Sequence, residues 1–353
     1  MQAAVIGLMQ SGKSTLVSAI SGKALPQAGA SAIEEAVVAV PDERVDWLTE
    51  LYESKKITLA TINCLDVPGF NFTDEHGRAA ARRYLLQLRT AELLVLVVRA
   101  FEDDSVAGKA DPAGELTELK TELLLADLEL VAKRIENLEK QLKKPGKGQT
   151  KEKAELELFQ KLQTVLEQEK PISSGIENDE QRELIRQLGF LTSKPMVVAI
   201  NVGENQLKEK IELGDAVDEN IPTVQVCAKL AYELSQLDEA SRAEFMKDLS
   251  ITESTTSKFV NCCYEALGLI SFLTAGPTES RAWPIKKGIT ALEAAGKIHS
   301  DLQRGFIRAE TMKLADLKEL GNEKAVKAAG KARLEGKEYI VQDGDVILFR
   351  FNV

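Results

Sequence analysis

The fold is decided by the stretch GLMQSGKST at residues 7–15, which matches the pattern G-x-x-x-x-G-K-[ST]. It follows an apolar run at residues 3–6 that predicts a strand, and it opens a helical stretch that extends to about residue 20. The two glycines allow successive backbone amides to point at phosphate oxygens, and the helix N-terminus adds partial positive charge. The stretch therefore predicts a phosphate-binding loop between a strand and a helix.

The residue types in this loop indicate which side chains would bind phosphate and which would bind the metal. Lys13 is expected to bridge the β- and γ-phosphates, and Ser14 to ligate Mg²⁺. The predicted cradle for the nucleotide consists of Gln10, Ser11, Gly12, Lys13, Ser14 and Thr15.

The chain around the loop predicts an α/β fold. Further short apolar or β-branched runs occur at residues 58–65, 93–98, 196–200 and 223–226. Helical stretches separate most of them, for example residues 75–88. Strands that alternate with helices form a mostly parallel sheet that is covered on both faces.

The middle of the chain interrupts this alternation with a heptad pattern. Six apolar residues follow each other at spacings of four and three, namely Leu124, Leu128, Val131, Ile135, Leu138 and Leu142. Phe159, Leu162 and Leu166 continue the pattern after the breaker KKPGKG at residues 143–148. We predict two antiparallel helices that project as a coiled-coil hairpin, although the periodicity also fits a plain structural helix pair.

The tip of this hairpin is rich in lysine. Residues 143–153 contain one glutamate and the five lysines Lys143, Lys144, Lys147, Lys151 and Lys153. Such a cluster is compatible with a solvated turn and with a contact to nucleic acid or to an acidic partner.

The last 85 residues have a different texture and charge. Residues 270–274, 281–285, 338–341 and 346–351 are strand candidates around a helix at 291–298, which suggests a small α+β module. From residue 269 to 353 there are 14 Lys and Arg against 11 Asp and Glu, while the whole chain carries −10. The negative charge of the whole chain argues against a protein that coats nucleic acid generally. The positive balance of the C-terminal module still permits an anionic partner there.

Composition limits the remaining classes. The 353 residues are 44 % hydrophobic and 28 % charged, which is typical of a globular protein of two or three domains. The longest apolar run, residues 93–98, is far shorter than the roughly 20 residues that cross a bilayer. The N-terminus carries neither a basic leader nor a cleavage site, and the four cysteines have no disulfide or metal spacing. We expect a cytoplasmic protein with no membrane partner.

A second motif separates switch proteins from small-molecule kinases. The stretch DVPG at residues 66–69 ends a strand about 50 residues after the loop. Asp66 is expected to hold Mg²⁺ through water, and the amide of Gly69 to reach the γ-phosphate, so that the site distinguishes triphosphate from diphosphate. Lys13 and Gly69 are the predicted catalytic residues, and Ser14 and Asp66 the predicted metal ligands.

A third motif concerns the base. The stretch NVGE at residues 201–204 follows a strand where guanine-reading GTPases carry N-K-x-D. Val202 replaces the lysine, and Glu204 moves the carboxylate one methylene further out, so guanine specificity should weaken and adenine becomes plausible. Cys227, Ala228 and Lys229 match the S-A-K loop that borders the base, and with Asn201 they complete the predicted base site.

With these motifs the chain resembles the YchF family of Obg-like ATPases over nearly its whole length. The resemblance includes VPD at residues 40–42, DVPG at 66–69, ELLLADL at 122–128, GFIRAE at 305–310 and EGKEYIVQDGD at 335–345. It implies a P-loop G domain at 1–114 and 193–268, a helical coiled-coil insertion at 115–192 and a β-grasp TGS domain at 269–353. It further implies ATP in preference to GTP, slow hydrolysis and association with ribosomes. From the charge pattern we predict that the lysine tip at residues 143–153 and the C-terminal module together contact ribosomal RNA.

Several positions depart from the family pattern. Met9 and Gln10 replace a Pro-Asn pair whose asparagine is the expected potassium ligand, which leaves potassium open. Ala32 stands where a switch threonine is usual, with Ser31 one residue away. Phe70 follows Gly69, as is normal for the family, but the loop at residues 103–109 lacks the histidine proposed for catalysis. The two histidines of the chain, His76 and His299, are not assigned a catalytic role.

Three functions remain open from the sequence. The favoured one is a slow Mg²⁺-dependent ATPase that acts as a nucleotide-gated switch on the ribosome. The alternatives are a GTPase of the Obg-related class and a nucleotide-bound interaction module with almost no turnover.

Overall fold

A strand buried along its whole length organises the N-terminal sheet. Leu93–Arg99 reads LLVLVVR, and all seven residues are buried, as expected for a central parallel strand with helices on both faces. The computed structural model describes residues 1–26, 32–106, 108–143 and 149–352. Within these residues no helix is both long enough and apolar enough to cross a bilayer.

The strands of the described residues form two six-stranded sheets. In chain order they are β1 (Gln2–Ile6), β2 (Glu34–Ala39), β3 (Ile57–Thr58), β4 (Thr61–Asp66), β5 (Leu93–Arg99), β6 (Met196–Asn201), β7 (Thr223–Val226), β8 (Leu269–Thr274), β9 (Ser280–Lys286), β10 (Phe306–Lys313), β11 (Arg333–Glu335) and β12 (Asp345–Phe351). The first sheet has the order β2-β4-β1-β5-β6-β7, with parallel pairing from β4 through β7. The second has the order β11-β10-β12-β8-β9-β3 and is mixed.

The helices cover these sheets and build a separate pair. They are α1 (Lys13–Ser21), α2 (Glu43–Tyr52), α3 (Glu75–Gln87), α4 (Pro112–Leu142), α5 (Thr150–Glu167), α6 (Asp179–Leu188), α7 (Ala228–Ser235), α8 (Glu239–Asp248), α9 (Thr255–Leu267), α10 (Ala291–Ile298), α11 (Ser300–Arg304), α12 (Leu314–Leu320) and α13 (Glu323–Ala328). Short 3₁₀ turns lie at Leu88–Thr90, Ile172–Gly175, Leu191–Ser193, Glu204–Gln206 and Gly214–Ala216.

The chain separates into two compact units. The first consists of Met1–Ala36 and Asn63–Thr255, and the second of Val37–Ile62 and Thr256–Val353. The segment with α2 and β3 therefore belongs with the C-terminal residues, which the sequence did not indicate. The predicted division into three domains, with limits at residues 114, 192 and 268, stays a prediction.

The predicted helix pair is confirmed in the first unit. Helix α4 begins after Asp111, whose side chain accepts a hydrogen bond from the Gly114 amide. Pro112 lies in the first turn of the helix, where proline is well tolerated. Helices α4 and α5 pack along each other, and Arg134 bonds Glu155 across them at 2.7 Å. Five of the nine predicted seam residues are buried in one cluster: Val131, Leu138, Phe159, Leu162 and Leu166. Leu124, Leu128 and Ile135 are partly buried against it, and Leu142 is half-buried.

Two strand predictions are wrong in detail. Residues 58–65 form two strands, β3 and β4, in different sheets, rather than one. Residues 338–341 form no strand, because the Tyr339 carbonyl and the Val341 amide bond the turn around Thr290 and only an isolated bridge at Ile340 results. Strands β2, β10 and β11 were not anticipated.

Candidate nucleotide-binding site

The loop between β1 and α1 has a shape that requires its glycines. Gly12 has φ 84°, and a Cβ there would lie 2.1 Å from Asn201 Nδ2. A Cβ on Gly7 would lie 2.4 Å from the Val97 carbonyl oxygen. Gln10 also has a positive φ of 61°, and its side chain is exposed. The loop therefore turns tightly against β5 and the end of β6 before α1 begins, as a phosphate-binding loop requires.

Hydrogen bonds join this loop to the DVPG motif. The Met9 amide donates to the Phe70 carbonyl at 3.0 Å, and the Phe70 amide donates to the Gly7 carbonyl at 3.0 Å. A Cβ on Gly69 would lie 2.8 Å from Met9 Cα and 3.2 Å from Lys13 Nζ. The two motifs lie side by side, and only glycine fits between the loop and the lysine.

Lys13 is buried and points back into the loop. It is 5 % exposed, and its Nζ donates to the Leu8 carbonyl at 2.9 Å. Burial lowers the pKa of Lys13 from 10.5 to about 8, against the opposing attraction of Asp66 and Glu115. A buried ammonium group with one neutral acceptor is suited to bind an anion such as phosphate.

Asp66 and Ser14 supply oxygen atoms beside this lysine. Asp66 is buried, and its Oδ1 has no hydrogen-bond partner. Burial raises the pKa of Asp66, and a hydrogen bond from Ser14 and the charge of Lys13 oppose that shift. An unpartnered buried carboxylate oxygen next to a hydroxyl fits Mg²⁺, which prefers hard oxygen ligands and shares them with phosphates. In the described part of the chain no three acidic, His or Cys side chains form a metal cluster of their own.

The Asn201 side chain connects the phosphate loop to the base loops. It is 4 % exposed; its Nδ2 donates to the Ser11 carbonyl at 2.9 Å, and its Oδ1 accepts from the Ala228 amide at 3.0 Å. Val202 is buried, and its amide donates to the Val226 carbonyl at 2.8 Å. Val202 therefore contributes backbone and packing here, and Asn201 holds three predicted segments in register.

Glu204 and Lys229 form an ion pair at the outer edge of these loops. Lys229 Nζ lies 3.3 Å from Glu204 Oε1, with side chains 74 % and 51 % exposed. Glu204 raises the pKa of Lys229. Cys227 precedes α7 as a buried residue, and burial raises the pKa of its thiol.

Sequence reasoning missed three residues of this region, namely Arg99, Glu115 and Phe101. Arg99, at the end of β5, donates from its amide to Glu115 Oε2 at 2.8 Å and from Nη2 to the carbonyls of Gly108 and Lys109 at 3.1 and 3.2 Å. It thereby fixes the first turn of α4 next to the nucleotide site. Phe101 lies between the two loops, within 3.9 Å of a Cβ built on Gly12 and 3.8 Å of one built on Gly203. The available signal was a charged residue ending an otherwise apolar strand.

The remaining candidate positions lie as follows. Ala32 is exposed before β2, whereas Ser31 lies outside the described residues. Phe70 is buried, with its ring 5.5 Å from that of Phe72. His76 lies in the first turn of α3, and His299 caps α11 in the other unit. Of the tip lysines, Lys143, Lys151 and Lys153 are exposed, and Lys144 and Lys147 lie outside the described residues.

Known proteins are similar to this chain over almost its whole length. Residues 2–144 match a family profile described as 50S ribosome-binding GTPase, and residues 269–352 match the YchF-GTPase C-terminal profile, described as a protein of unknown function (DUF933). The ribosome-binding ATPase YchF of Bacillus subtilis is 40 % identical over 99 % of both chains. Obg-like ATPase 1 of Oryza sativa is 36 % identical over 99 % of this chain and 91 % of its own. The solved structure of the Schizosaccharomyces pombe YchF GTPase superposes with a TM-score of 0.83 at 32 % identity, over 99 % of this chain and 97 % of that one.

Proposed function

Because the chain belongs to the YchF family, we propose that it is a slow, Mg²⁺-dependent ATPase that acts as a nucleotide-gated switch on the ribosome. The relatives named above are named as ATPases or as a GTPase, and the Bacillus subtilis protein and the profile that matches residues 2–144 are named for ribosome binding. The proposed hydrolysis and the proposed partner both rest on that kinship. A ribosomal partner implies that the chain works in the cytoplasm.

One observation carries the nucleotide part of the proposal. Lys13 is a buried cation, and it interacts with the buried carboxylate of Asp66. This carboxylate accepts a hydrogen bond from Ser14, while its Oδ1 has no hydrogen-bond partner. In this proposal the loop amides and Lys13 hold the β- and γ-phosphates, and Ser14 and Asp66 hold Mg²⁺. The metal neutralises charge on the phosphates, and the protein positions them. The amide of Gly69, next to Lys13 Nζ, is proposed to meet the γ-phosphate.

Slow turnover follows from what this chain lacks in sequence. Phe70 takes the position of a water-orienting glutamine, and residues 103–109 contain no histidine. Without a group that orients the attacking water, acceleration comes from positioning and electrostatics alone.

The test is phosphate release by the purified chain with MgATP. Lys13→Ala should abolish turnover, whereas Lys247→Ala, which removes an exposed lysine from α8, should leave it unchanged. Tight binding without turnover in the unaltered chain would favour the interaction module, and tenfold tighter binding of GTP than ATP would favour the GTPase. The same assay in KCl and in NaCl decides whether potassium takes part.

The ribosome contact is proposed for the lysine tip and the C-terminal module. Exposed Lys143, Lys151 and Lys153 and the excess positive charge of residues 269–353 support an anionic partner such as ribosomal RNA. Reversing Lys143, Lys144 and Lys147 to glutamate should weaken co-sedimentation with ribosomes, and the difference from the original chain should be largest at low salt, because salt screens the contacts that the variant has lost. Reversing Lys208, Lys210 and Lys247 makes the same charge change elsewhere and should have less effect. Equal effects of the two triple variants would contradict a specific contact at the tip.

A further inference from the structure

The carboxylate of Glu204 is presented from a fixed turn. Glu204 begins the 3₁₀ turn Glu204–Gln206, and only Val202 and Gly203 separate this turn from the end of β6. The Gln206 side chain accepts a hydrogen bond from the Gly203 amide at 2.8 Å, and Gln225 donates to the Gln206 carbonyl at 3.0 Å. These bonds fix the backbone that carries Glu204, so its side chain has a limited range of positions at the base loops.

Lys229 is placed where a nearby carboxylate is needed. It is the second residue of α7, and the first turn of that helix contains no acidic residue and no side-chain cap. A positive charge at a helix N-terminus opposes the helix dipole. Glu204 Oε1, at 3.3 Å from Lys229 Nζ, supplies the compensating negative charge from the neighbouring loop. The pair thus has two electrostatic reasons to form.

The two purine bases respond differently to a carboxylate. The Watson–Crick edge of guanine presents two donors, N1–H and the 2-amino group, and an uncompensated carboxylate accepts from both. The same edge of adenine presents the lone pair of N1, which a negative oxygen repels. A carboxylate that is paired with an ammonium group has a weaker negative potential and loses most of this discrimination.

We propose that Lys229 determines base specificity by holding Glu204 in an ion pair, which withdraws the guanine acceptor and lets adenine nucleotides bind. The replacement of the usual lysine by Val202 is therefore only part of the base preference. This inference rests on the proposed nucleotide-binding function of the same site, and it adds a residue that acts on the base through another side chain.

The test compares Lys229→Met with a matched variant. Lys210 forms a similarly exposed pair with Glu212 at 3.4 Å, so Lys210→Met removes the same charge from another ion pair of this unit. Dissociation constants for non-hydrolysable ATP and GTP analogues with Mg²⁺ are measured by calorimetry. Lys229→Met should shift the affinity ratio toward GTP by about fivefold or more, in keeping with an exposed pair of about 1 kcal/mol, while Lys210→Met leaves the ratio within about twofold.

Three further variants make the outcome specific. Lys229→Arg keeps the positive charge and should keep the original ratio, and Lys229→Met with Glu204→Gln should cancel the gain for GTP. Glu204→Gln alone should change the ratio less than about twofold, because its carboxylate is already compensated, and this variant carries the test if Lys229→Met does not fold. An unchanged ratio in folded Lys229→Met, or a tenfold loss of GTP affinity in Glu204→Gln, overturns the inference. Failure of the unaltered chain to bind either nucleotide overturns the proposed function itself.

Discussion

Among single residues, Asn201 connects the segments of the site that lie farthest apart in the sequence. Its amide group bonds the Ser11 carbonyl and the Ala228 amide, both inside the protein. Asn201→Ala removes both partners and leaves a buried carbonyl and a buried amide unsatisfied. We expect a loss of about 2–4 kcal/mol in the free energy of unfolding, measured by urea denaturation. Asn205→Ala, at an exposed neighbour, should change it by less than about 0.5 kcal/mol; comparable losses would show that Asn201 has no special role.

Lys13 predicts an unusual dependence of stability on pH. Its pKa is about 8 in the folded chain and 10.5 as the reference for the unfolded chain. Between these values the unfolded chain binds a proton that the folded chain does not, so the free energy of unfolding rises with pH; below about pH 8 both states bind it and the gain disappears. From pH 7.5 to 9.5, Lys13 should therefore raise the free energy of unfolding by about 2 kcal/mol.

The measurement is urea denaturation without nucleotide at both pH values. Lys13→Met has no titrating group at this position, so the difference between it and the original chain isolates the lysine. The same pH slope in both proteins would contradict the prediction.

The sequence predicted the residues of the site better than their contacts. Lys13, Ser14, Asp66 and Gly69 were predicted because phosphate and metal chemistry demand them at characteristic spacings, and their binding roles stay predictions. Arg99 and its partner Glu115 were not, because their hydrogen bond joins a strand end to a helix start 16 residues later and leaves no periodic trace.

At the scale of elements, the α4–α5 hairpin has its own apolar core. Phe159 is fully buried there, with its ring centroid 6.4 Å from that of Phe190. Phe159→Ala creates a cavity that the two long helices cannot close, and it should lower the free energy of unfolding by about 3–5 kcal/mol. Phe245→Ala on α8, where the side chain is 53 % exposed, is the matched control and should stay within about 0.5 kcal/mol. Guanidinium denaturation followed by circular dichroism distinguishes the two, and equal losses would mean that Phe159 is not a core residue.

Periodic elements were the predictable ones. The heptad seam and the apolar run of β5 each carry their pattern in consecutive residues, and both predictions are confirmed. Residues 338–341 have the composition of a strand, yet their backbone bonds go to the Thr290 turn. Strand β10 was missed because its buried residues include Glu310 and Thr311, which interrupt the apolar alternation. Glu310 is buried only because Lys327 and Arg350 both bond its carboxylate.

For the whole molecule, the principal finding is that residues 37–62 complete the C-terminal unit. Ser54 Oγ donates to the Gly276 carbonyl at 2.7 Å, and β3 pairs with β9 in parallel. Arg44 bonds Asp343, almost 300 residues later, at 2.8 Å. No local pattern predicts a contact over that separation, which is why the sequence placed this segment with the phosphate loop.

Leu48 tests this division of the chain. It is fully buried on α2, which packs against β9. Leu48→Ala should destabilise the second unit by about 2–5 kcal/mol through the cavity that it leaves. Amide hydrogen exchange should therefore accelerate in β8, β9 and β12, while β1, β5 and β6 of the first unit keep their protection.

The matched control is Leu348→Ala, the same substitution in the same unit at a side chain that is 53 % exposed, and it should leave exchange in both units nearly unchanged. Faster exchange in β1 and β5 on Leu48→Ala would mean that α2 stabilises the first sheet instead. Uniform acceleration in all six strands would mean that the chain unfolds as one cooperative body, since a local cavity can then be relieved only by global opening.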